Sequence, residues 1–327
     1  MGSLIQNGID WILAIQALGG WLEAPMQFFT FLGSQDFFFL VLPFIYWSVD
    51  AGLGMRVAFA LIANVSLNFY FKLWFAGPRP YWVSADVQGL TAETSFGVPS
   101  GHAENAVAVW GTIAAWIGKR IAWALSIAVI FLVGFSRLYL GVHFVHDVLA
   151  GWALGAAVLW LILRFWDSVT AWLKTKPVTT QMTLAFAVSL LMIALGYVSA
   201  AHLDGYAFPE EFRVNALRVS DELPAPASLE TIVTSAGTFF GLFAGLAWLL
   251  SRGGYQADGP GAKRALRFFV GLIGVFILWR GLGAVLPDGE SLVPLMLRYL
   301  RYTLVGFWIS AGAPELFFRF KLADPKI

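Results

Sequence analysis

The chain has 327 residues, of which 59% are apolar and only 13% charged, and its formal net charge is +1. In soluble domains about a quarter of the residues are usually charged, so a water-soluble enzyme is disfavoured. The small net charge excludes the basic surface of a nucleic-acid-binding protein. The chain has no cysteine, which excludes disulfides, zinc–thiolate sites and thiol nucleophiles. A mean hydropathy of +0.73 indicates a polytopic membrane protein.

The predicted fold is all-α, a polytopic bundle of about nine transmembrane helices, because a bilayer span needs about 20 mostly apolar residues. The predicted spans lie at about 36–50, 55–75, 102–118, 121–140, 144–165, 181–200, 231–250, 267–287 and 296–318. Residues 6–32 also have apolar residues at helical spacing, but Gly19, Gly20, Glu23 and Pro25 interrupt them. This pattern favours one or two helices lying along the membrane interface. A tenth span over these residues is the alternative.

Three regions are predicted along the chain. Residues 1–35 form N-terminal interfacial helices, residues 36–166 form the transmembrane core that carries the polar motifs, and residues 167–327 form an accessory region of four spans. Most Lys and Arg residues fall on one side of these spans, which the positive-inside rule assigns to the cytoplasm together with the C-terminus. The long polar loops at 76–101 and 201–229 fall on the opposite, extracytoplasmic side.

Polar residues concentrate at three helix ends on the predicted extracytoplasmic side. At the end of the second span, Gly77 and Pro78 stop the helix, so that Arg79 can turn back toward Lys72 and both can grip one anion. Cations at membrane depth are costly unless they are paired or functional, which makes these two residues site candidates. The alternative is that both only extend to the membrane interface.

The second cluster is Pro99-Ser100-Gly101-His102, immediately before an apolar run. Pro and Ser open helices well, and a helix N-terminus with a permissive Gly presents free backbone N–H groups to an anion. His102 would then lie beside that anion. Taken alone, the tetrapeptide also fits a simple N-terminal cap with an incidental histidine.

The third cluster runs from Ser136 to Asp147, across the turn between the fourth and fifth spans. His143 and Asp147 are four residues apart and share a helix face, so the carboxylate can hold the imidazole and fix its tautomer. His146 lies on a neighbouring face, and a metal site is the alternative. However, the chain has no His-Glu-x-x-His motif, and the nearby cations would repel a metal. We therefore expect neither a metal nor a cofactor.

Three cations, helix-terminal amides and two histidines together describe a site for a tetrahedral oxyanion, and phosphoryl transfer is the chemistry that fits. In order, the clusters resemble the motifs K-x6-R-P, P-S-G-H and S-R-x5-H-x3-D of the type-2 phosphatidic acid phosphatase and vanadium haloperoxidase superfamily. All eleven fixed positions are met. The stretch from Leu67 to Trp82, together with nine predicted spans, is also similar to the glucose-6-phosphatase branch.

This resemblance implies a role for each motif residue. His143 would be the nucleophile that forms a phosphohistidine, Asp147 would orient it, and His102 would be the general acid. The phosphoryl oxygens would be bound by Lys72, Arg79, Ser100, the Gly101 amide and Arg137. No metal and no cofactor would be needed, because the cations replace them.

The predicted function is that of an integral membrane phosphatase acting on a phosphomonoester or diphosphate. A lipid phosphate or polyprenyl diphosphate is favoured, because a site at bilayer depth can receive a headgroup laterally. A sugar-phosphate phosphatase, a lipid phosphotransferase and a non-catalytic phosphate-binding membrane protein are the alternatives. The predicted partners are a phosphorylated lipid or small molecule and membrane lipids, and not nucleic acid. The absence of cysteine and of accessible Asn-x-Ser/Thr sites favours a bacterial plasma membrane, with the site facing the periplasm.

Overall fold

The computed structural model describes residues 2–222 and 224–324. Its α-helices are α1 (Gly2–Gln16), α2 (Glu23–Phe31), α3 (Gln35–Ser48), α4 (Ala51–Phe75), α5 (Pro80–Val83), α6 (Gly101–Ile117), α7 (Arg120–Tyr139), α8 (Val145–Lys174), α9 (Val178–Ala201), α10 (Glu210–Ala216), α11 (Glu230–Ser251), α12 (Gly261–Phe276), α13 (Leu292–Phe307) and α14 (Ala313–Arg319). A 3₁₀ turn occupies Gly20–Leu22, and π-helical segments follow α12 at Ile277–Gly281 and α13 at Trp308–Gly312. The predicted all-α class is confirmed.

Five helical segments in the described residues are long and apolar enough to cross a membrane, and a sixth results if one bent helix pair is counted as a span. The five are Ala51–Val83, Arg120–Tyr139, Val145–Lys174, Val178–Ala201 and Glu230–Ser251, and the pair is Gly20–Phe31 with Asp36–Ser48, bent by 45°. The chain is therefore an integral membrane protein. The predicted count of about nine is not reached, because α6 has 17 residues and α12 and α13 have 16 each.

The N-terminal residues form two helices with a break between them. Helix α1 ends at Gln16, and Gly19 has a φ of 105°, a left-handed conformation that favours glycine and interrupts a helix. Helix α2 begins at Glu23, with Pro25 in its first turn, where a proline is tolerated. The interruption predicted from the sequence is thus present, and residues 6–32 do not form one straight span.

The described helices belong to two compact units made of interleaved segments. The first unit contains the chain up to Phe38, residues 67–160 and residues 198–228, and the second contains residues 39–66, 161–197 and 229 onward. All the predicted site residues, from Lys72 to Asp147, lie in the first unit. The division of the chain at residues 35 and 166 stays a prediction.

In the first unit, two glycines let α8 approach the beginning of α6 closely. A Cβ atom at Gly151 would lie 2.4 Å from the Ser100 carbonyl oxygen, and one at Gly155 would lie 2.4 Å from the Glu104 carbonyl oxygen. Small residues spaced by one helical turn are a common way to bring membrane helices into backbone contact. This contact places the beginning of α6, with the second motif, beside the first turns of α8, which contain Asp147 of the third motif.

In the second unit, glycines also allow the backbones of α11 and α13 to approach closely. Cβ atoms at Gly237 and Gly241 would lie 2.5 Å and 2.1 Å from the carbonyl oxygens of Tyr299 and Thr303. From the other helix, a Cβ at Gly306 would lie 2.6 Å from the Thr238 carbonyl oxygen. The C-terminal part of the chain is therefore held by close helix packing that side chains larger than hydrogen would disturb.

The contact between α6 and α8 predicts the effect of one substitution. Gly151→Ala forces the Ser100 backbone to move, so we expect a loss of about 1–3 kcal/mol of stability and a lower midpoint of thermal unfolding in detergent. Gly281→Ala is the control, because no atom lies within 4 Å of a Cβ added there. Equal unfolding midpoints for the two variants would contradict the close packing.

Candidate active site

The structure brings the three predicted motifs together in the first unit. The Ser100 backbone N–H donates to the Asp147 carbonyl oxygen at 2.9 Å, which joins the second motif to the third. Arg79 Nη1 donates to the Val142 carbonyl oxygen at 3.0 Å and lies 3.2 Å from His143 Nε2, which joins the first motif to the third. Segments that are distant in the chain thus surround one point, as the sequence predicted.

The contacts of His143 determine its tautomer. Arg79 Nη1, 3.2 Å from Nε2, can only donate a hydrogen bond, so Nε2 must carry the lone pair. The proton then lies on Nδ1, which is 3.2 Å from Asp147 Oδ2 and can donate to it. The same carboxylate oxygen accepts the Phe144 backbone N–H at 2.9 Å, which fixes its direction. His143 therefore presents a nucleophilic nitrogen on the side of the arginine.

The protonation state of His143 agrees with that tautomer. The side chain is almost completely buried between α7 and α8. Burial first, and then the positive charges of Arg79, Arg137 and Lys72, lower its pKa well below the ordinary histidine value. The imidazole is therefore neutral at physiological pH, as a nucleophile must be.

Arg79 is the central cation of the site. It is completely buried, and its donors reach backbone carbonyl oxygens of the 76–101 loop. Nε donates to Ser95 O at 2.6 Å, and Nη2 donates to Phe96 O at 3.1 Å and to Ser95 Oγ at 3.2 Å. Lys72 Nζ donates to the same Ser95 Oγ at 2.8 Å. Lys72 and Arg79 therefore converge, as the helix end at Gly77 and Pro78 predicted.

Arg137, from the end of α7, is the third cation. It is buried, and its Nη1 donates to Thr30 Oγ1 while its Nη2 pairs with Glu93 Oε1. Its Nε is buried and has no hydrogen-bond partner among the described residues. Because an unsatisfied buried donor costs free energy, a ligand that accepts from it is favoured.

Ser100 is the second group with unused hydrogen-bonding capacity. It is completely buried and precedes the first residue of α6, yet its side chain does not cap that helix. Its Oγ has no hydrogen-bond partner in the part of the chain that the structure describes. The Gly101 N–H lies in the first turn of α6, where backbone donors have no intrahelical acceptor. These donors suit an anion at the helix N-terminus.

His102 follows Gly101 in the first turn of α6, and its side chain is half-buried. It is close enough to interact electrostatically with Arg137, Glu93 and Lys72, and with His143. His146 lies apart from this group. Its ring stacks on Phe144 and its Nε2 is 3.1 Å from Asp147 Oδ1, while 41% of the side chain is exposed.

A metal site is not apparent in the described residues, in which no group of three or more His, Cys, Asp and Glu side chains could hold a metal ion. The two carboxylates nearest the histidines, Asp147 and Glu93, contact histidine and arginine side chains. Asp147 contacts His143 and His146, and Glu93 contacts Arg137 and, at 3.6 Å, Arg79.

Sequence reasoning missed several residues of this site. Glu93 and Ser95 lie in the 76–101 loop, and Thr30 comes from α2. Asn68, one turn before Lys72, donates through Nδ2 to Pro99 O at 3.1 Å and to Glu104 Oε2 at 2.8 Å. For Glu93, an acid in a loop between two cationic motifs was an available signal. Thr30 and Ser95 have no signal in the sequence.

The loop at 201–229 packs on the 76–101 loop. The rings of Tyr206 and Phe96 meet edge to face at 5.7 Å between centroids, and those of Phe208 and Trp82 do so at 5.2 Å. Asn215 Nδ2 donates to Trp82 O at 3.0 Å. The acidic loop therefore supports the loop that carries Glu93 and Ser95.

Comparisons with known proteins agree with the geometry. The family model described as the PAP2 superfamily matches residues 53–171, and the PAP2 superfamily phosphatase transmembrane extension matches residues 233–325. Phosphatidylglycerophosphatase B of Bacillus subtilis is 33% identical over 164 residues, which cover 46% of this chain and 77% of that protein. The chain belongs to the PAP2 superfamily. The PAP2 superfamily match includes all three motifs.

Two other similarities were found. Human glucose-6-phosphatase 3 is 31% identical over 189 residues, which cover 50% of this chain and 54% of that protein, so the chain spans about half the length of this relative. The crystal structure of a transmembrane PAP2-type phosphatidylglycerolphosphate phosphatase from Bacillus subtilis is similar with 27% identity and a TM-score of 0.46, covering 52% of this chain and 89% of that one. The predicted superfamily is confirmed by the family-model matches and by the similarity to phosphatidylglycerophosphatase B.

The unused hydroxyl of Ser100 predicts a separation of stability from activity. Ser100→Ala removes no internal side-chain hydrogen bond, so the unfolding midpoint should stay unchanged. If the hydroxyl binds a phosphoryl oxygen, kcat/KM for phosphate release should fall by about tenfold or more, as for a hydrogen bond to a charged group. Ser126→Ala is the control. It removes the hydroxyl of a buried serine on α7, away from the three motifs, and should retain kcat/KM. Unchanged kcat/KM in Ser100→Ala would show that the Ser100 hydroxyl does not bind the phosphoryl group.

Proposed function

We propose that this PAP2 superfamily protein is a membrane phosphatase that hydrolyses a phosphomonoester or diphosphate through a phosphohistidine at His143. The observation that carries the proposal is the pair of contacts on this histidine. Asp147 Oδ2 holds Nδ1, while Nε2 faces the guanidinium of Arg79 at 3.2 Å. A nucleophile aimed at a phosphate-binding cation is the arrangement that in-line phosphoryl transfer needs.

In the first step, His143 Nε2 attacks phosphorus and the bond from phosphorus to the leaving oxygen breaks. His102, which takes up a proton when the substrate dianion binds beside it, gives this proton to that oxygen. Lys72, Arg79 and Arg137, with Ser100 Oγ and the Gly101 N–H, stabilise the charge on the remaining phosphoryl oxygens. Asp147 stabilises the imidazolium character that develops on His143.

In the second step, His102 takes a proton from water as the water oxygen attacks phosphorus. The bond between phosphorus and Nε2 breaks, inorganic phosphate leaves and His143 regains its lone pair. The reaction is metal-independent in this proposal, because the cationic side chains supply the charge that magnesium supplies in other phosphoryl-transfer sites.

The proposed topology has about nine membrane-crossing helices, with the site on the extracytoplasmic side of a bacterial plasma membrane and the C-terminal end in the cytoplasm. The positive-inside distribution of Lys and Arg supports this orientation. Residues 325–327, at the proposed cytoplasmic end, lie outside the described residues. Helices α6, α12 and α13 would complete the count as short spans assisted by their neighbours.

A lipid phosphate is the favoured substrate. Relatives include phosphatidylglycerophosphatase B of Bacillus subtilis, and a site on membrane helices can receive a lipid headgroup laterally. A sugar phosphate is the second candidate, because human glucose-6-phosphatase 3 is also a relative. Transfer of the phosphoryl group to a lipid hydroxyl would follow the same first step, with an alcohol in place of water.

The test is phosphate release by purified protein in detergent with excess chelator. The substrates are phosphatidic acid, phosphatidylglycerol phosphate, a polyprenyl diphosphate and glucose 6-phosphate. We expect release that survives the chelator and disappears in His143→Ala, because this variant lacks the nucleophile. His202→Ala, which removes a histidine stacked on Trp74 at 4.2 Å, is the matched control and should retain activity.

Three outcomes would contradict the proposal or a part of it. No release from any of the four substrates would favour a transferase or a phosphate-binding protein. Equal release by His143→Ala and the unaltered protein would exclude a phosphohistidine at this residue. Loss of release with chelator would contradict the metal-independent mechanism alone.

A further inference from the structure

One carboxylate of the 76–101 loop, that of Glu93, contacts two of the proposed phosphate-binding cations directly. Glu93 Oε1 pairs with Arg137 Nη2, and Glu93 Oε2 lies 3.6 Å from Arg79 Nη2. The side chain is 24% exposed, whereas those of Arg79 and Arg137 are 0% and 2% exposed. Glu93 therefore stands on the solvent side of the two guanidiniums and contacts both.

The position of Glu93 is well defined. Tyr81 Oη donates to the Glu93 carbonyl oxygen at 3.0 Å and accepts the Glu93 backbone N–H at 3.1 Å. Two residues further, Ser95 accepts hydrogen bonds from Arg79 and Lys72. On the other side of the segment, the Thr94 carbonyl oxygen accepts the Ala225 N–H at 3.0 Å. The backbone on both sides of the carboxylate is thus anchored.

The carboxylate is ionised. Burial alone would raise the pKa of Glu93, but the positive charges of Arg79 and Arg137, followed by those of His102 and Lys72, outweigh burial and hold this pKa well below its ordinary value. A full negative charge is therefore a fixed part of the site at physiological pH.

The formal charge of the side chains around the proposed phosphate site equals, with opposite sign, the charge of one class of substrate. Asp147 is counted with His143, whose imidazolium character it offsets. The remaining three cations and one carboxylate, namely Lys72, Arg79, Arg137 and Glu93, leave a net charge of +2. A phosphomonoester dianion balances this charge. A diphosphate ester has a third negative charge, on the phosphate next to the one being transferred, which this cluster does not balance.

The repulsion would act over a short distance. In a diphosphate, the second phosphate is joined to the transferred phosphorus through one bridging oxygen. A phosphoryl oxygen bound by Arg137 at ordinary hydrogen-bond length lies within about 7 Å of the Glu93 carboxylate. This is shorter than the Debye length of about 8 Å at physiological ionic strength, and a partly buried site is screened less than a surface. A like charge placed at such a distance is a common means of rejecting the wrong ligand.

We infer that Glu93 is a specificity-determining residue that makes the site prefer phosphomonoesters to diphosphate esters. The inference rests on the proposed function and narrows its substrate class. Glu93 acts through the charge it places beside the bound phosphoryl group, and it takes no part in forming or breaking bonds.

The experiment compares farnesyl monophosphate with farnesyl diphosphate, which have the same tail and differ by one phosphate. Initial rates are measured in detergent, with farnesol and farnesyl monophosphate separated as products. Glu93→Gln keeps the shape of the side chain and removes its charge. We expect the ratio of kcat/KM for diphosphate to kcat/KM for monophosphate to rise by about tenfold in this variant.

Two further variants separate charge from structure. Glu93→Asp keeps the charge and should keep the ratio of the unaltered protein. Glu211→Gln removes an exposed carboxylate of the 201–229 loop and should also leave the ratio unchanged. Unfolding midpoints of all the variants are measured alongside the rates.

The outcomes distinguish the two proposals. If the unaltered protein hydrolyses neither farnesyl ester, nor any of the four substrates named above, the proposed function fails. If it hydrolyses either farnesyl ester and the ratio in Glu93→Gln does not rise by at least about twofold, the inference about Glu93 fails alone. A folded Glu93→Gln variant that is inactive on both esters would also overturn the inference, because Glu93 would then be required to hold the arginines rather than to select the substrate.

Discussion

The burial of Arg79 is the constraint on which the site depends. A guanidinium with no exposed surface is costly inside a membrane protein unless several acceptors surround it. The 76–101 loop supplies these acceptors through Ser95 and Phe96, and the turn before α8 supplies Val142 O. The same guanidinium faces His143 Nε2. The bonds that stabilise a buried charge are therefore the bonds that aim the nucleophile, and the loop cannot move without disturbing both.

Two carboxylates of the site, Asp147 and Glu93, have different roles. Asp147 contacts the histidine and fixes its tautomer, while Glu93 contacts the guanidiniums and limits the positive charge of the site. The Phe144 backbone N–H donates to the Asp147 carboxylate, and the Tyr81 hydroxyl forms hydrogen bonds with the backbone of Glu93. The proposed chemistry needs this separation, because a carboxylate shared between the nucleophile and the cations would compete with the incoming phosphate.

The sequence predicted the parts of the site that follow from local pattern. Helix ends near Lys72, Ser100 and Asp147 came from apolar runs and breakers, and their motif spacing indicated one superfamily. The position of Glu93 in a loop beside the motifs was an available signal, but its contact with both arginines was not predictable, because it depends on a loop conformation set by distant residues. The predicted count of about nine spans is not confirmed, for a related reason. Apolar runs predict helices well, but they do not predict which short helices such as α6 cross the bilayer.

The most direct test of the account is to trap the covalent intermediate. The protein is mixed with ³²P-labelled phosphatidic acid and quenched in base, in which phosphohistidine survives, and the labelled peptide is identified by mass spectrometry. The mechanism predicts an acid-labile label on His143, more label when His102→Ala slows its hydrolysis, and none in His143→Ala. Turnover of the same substrate without label on His143, or with label on another residue, would contradict it.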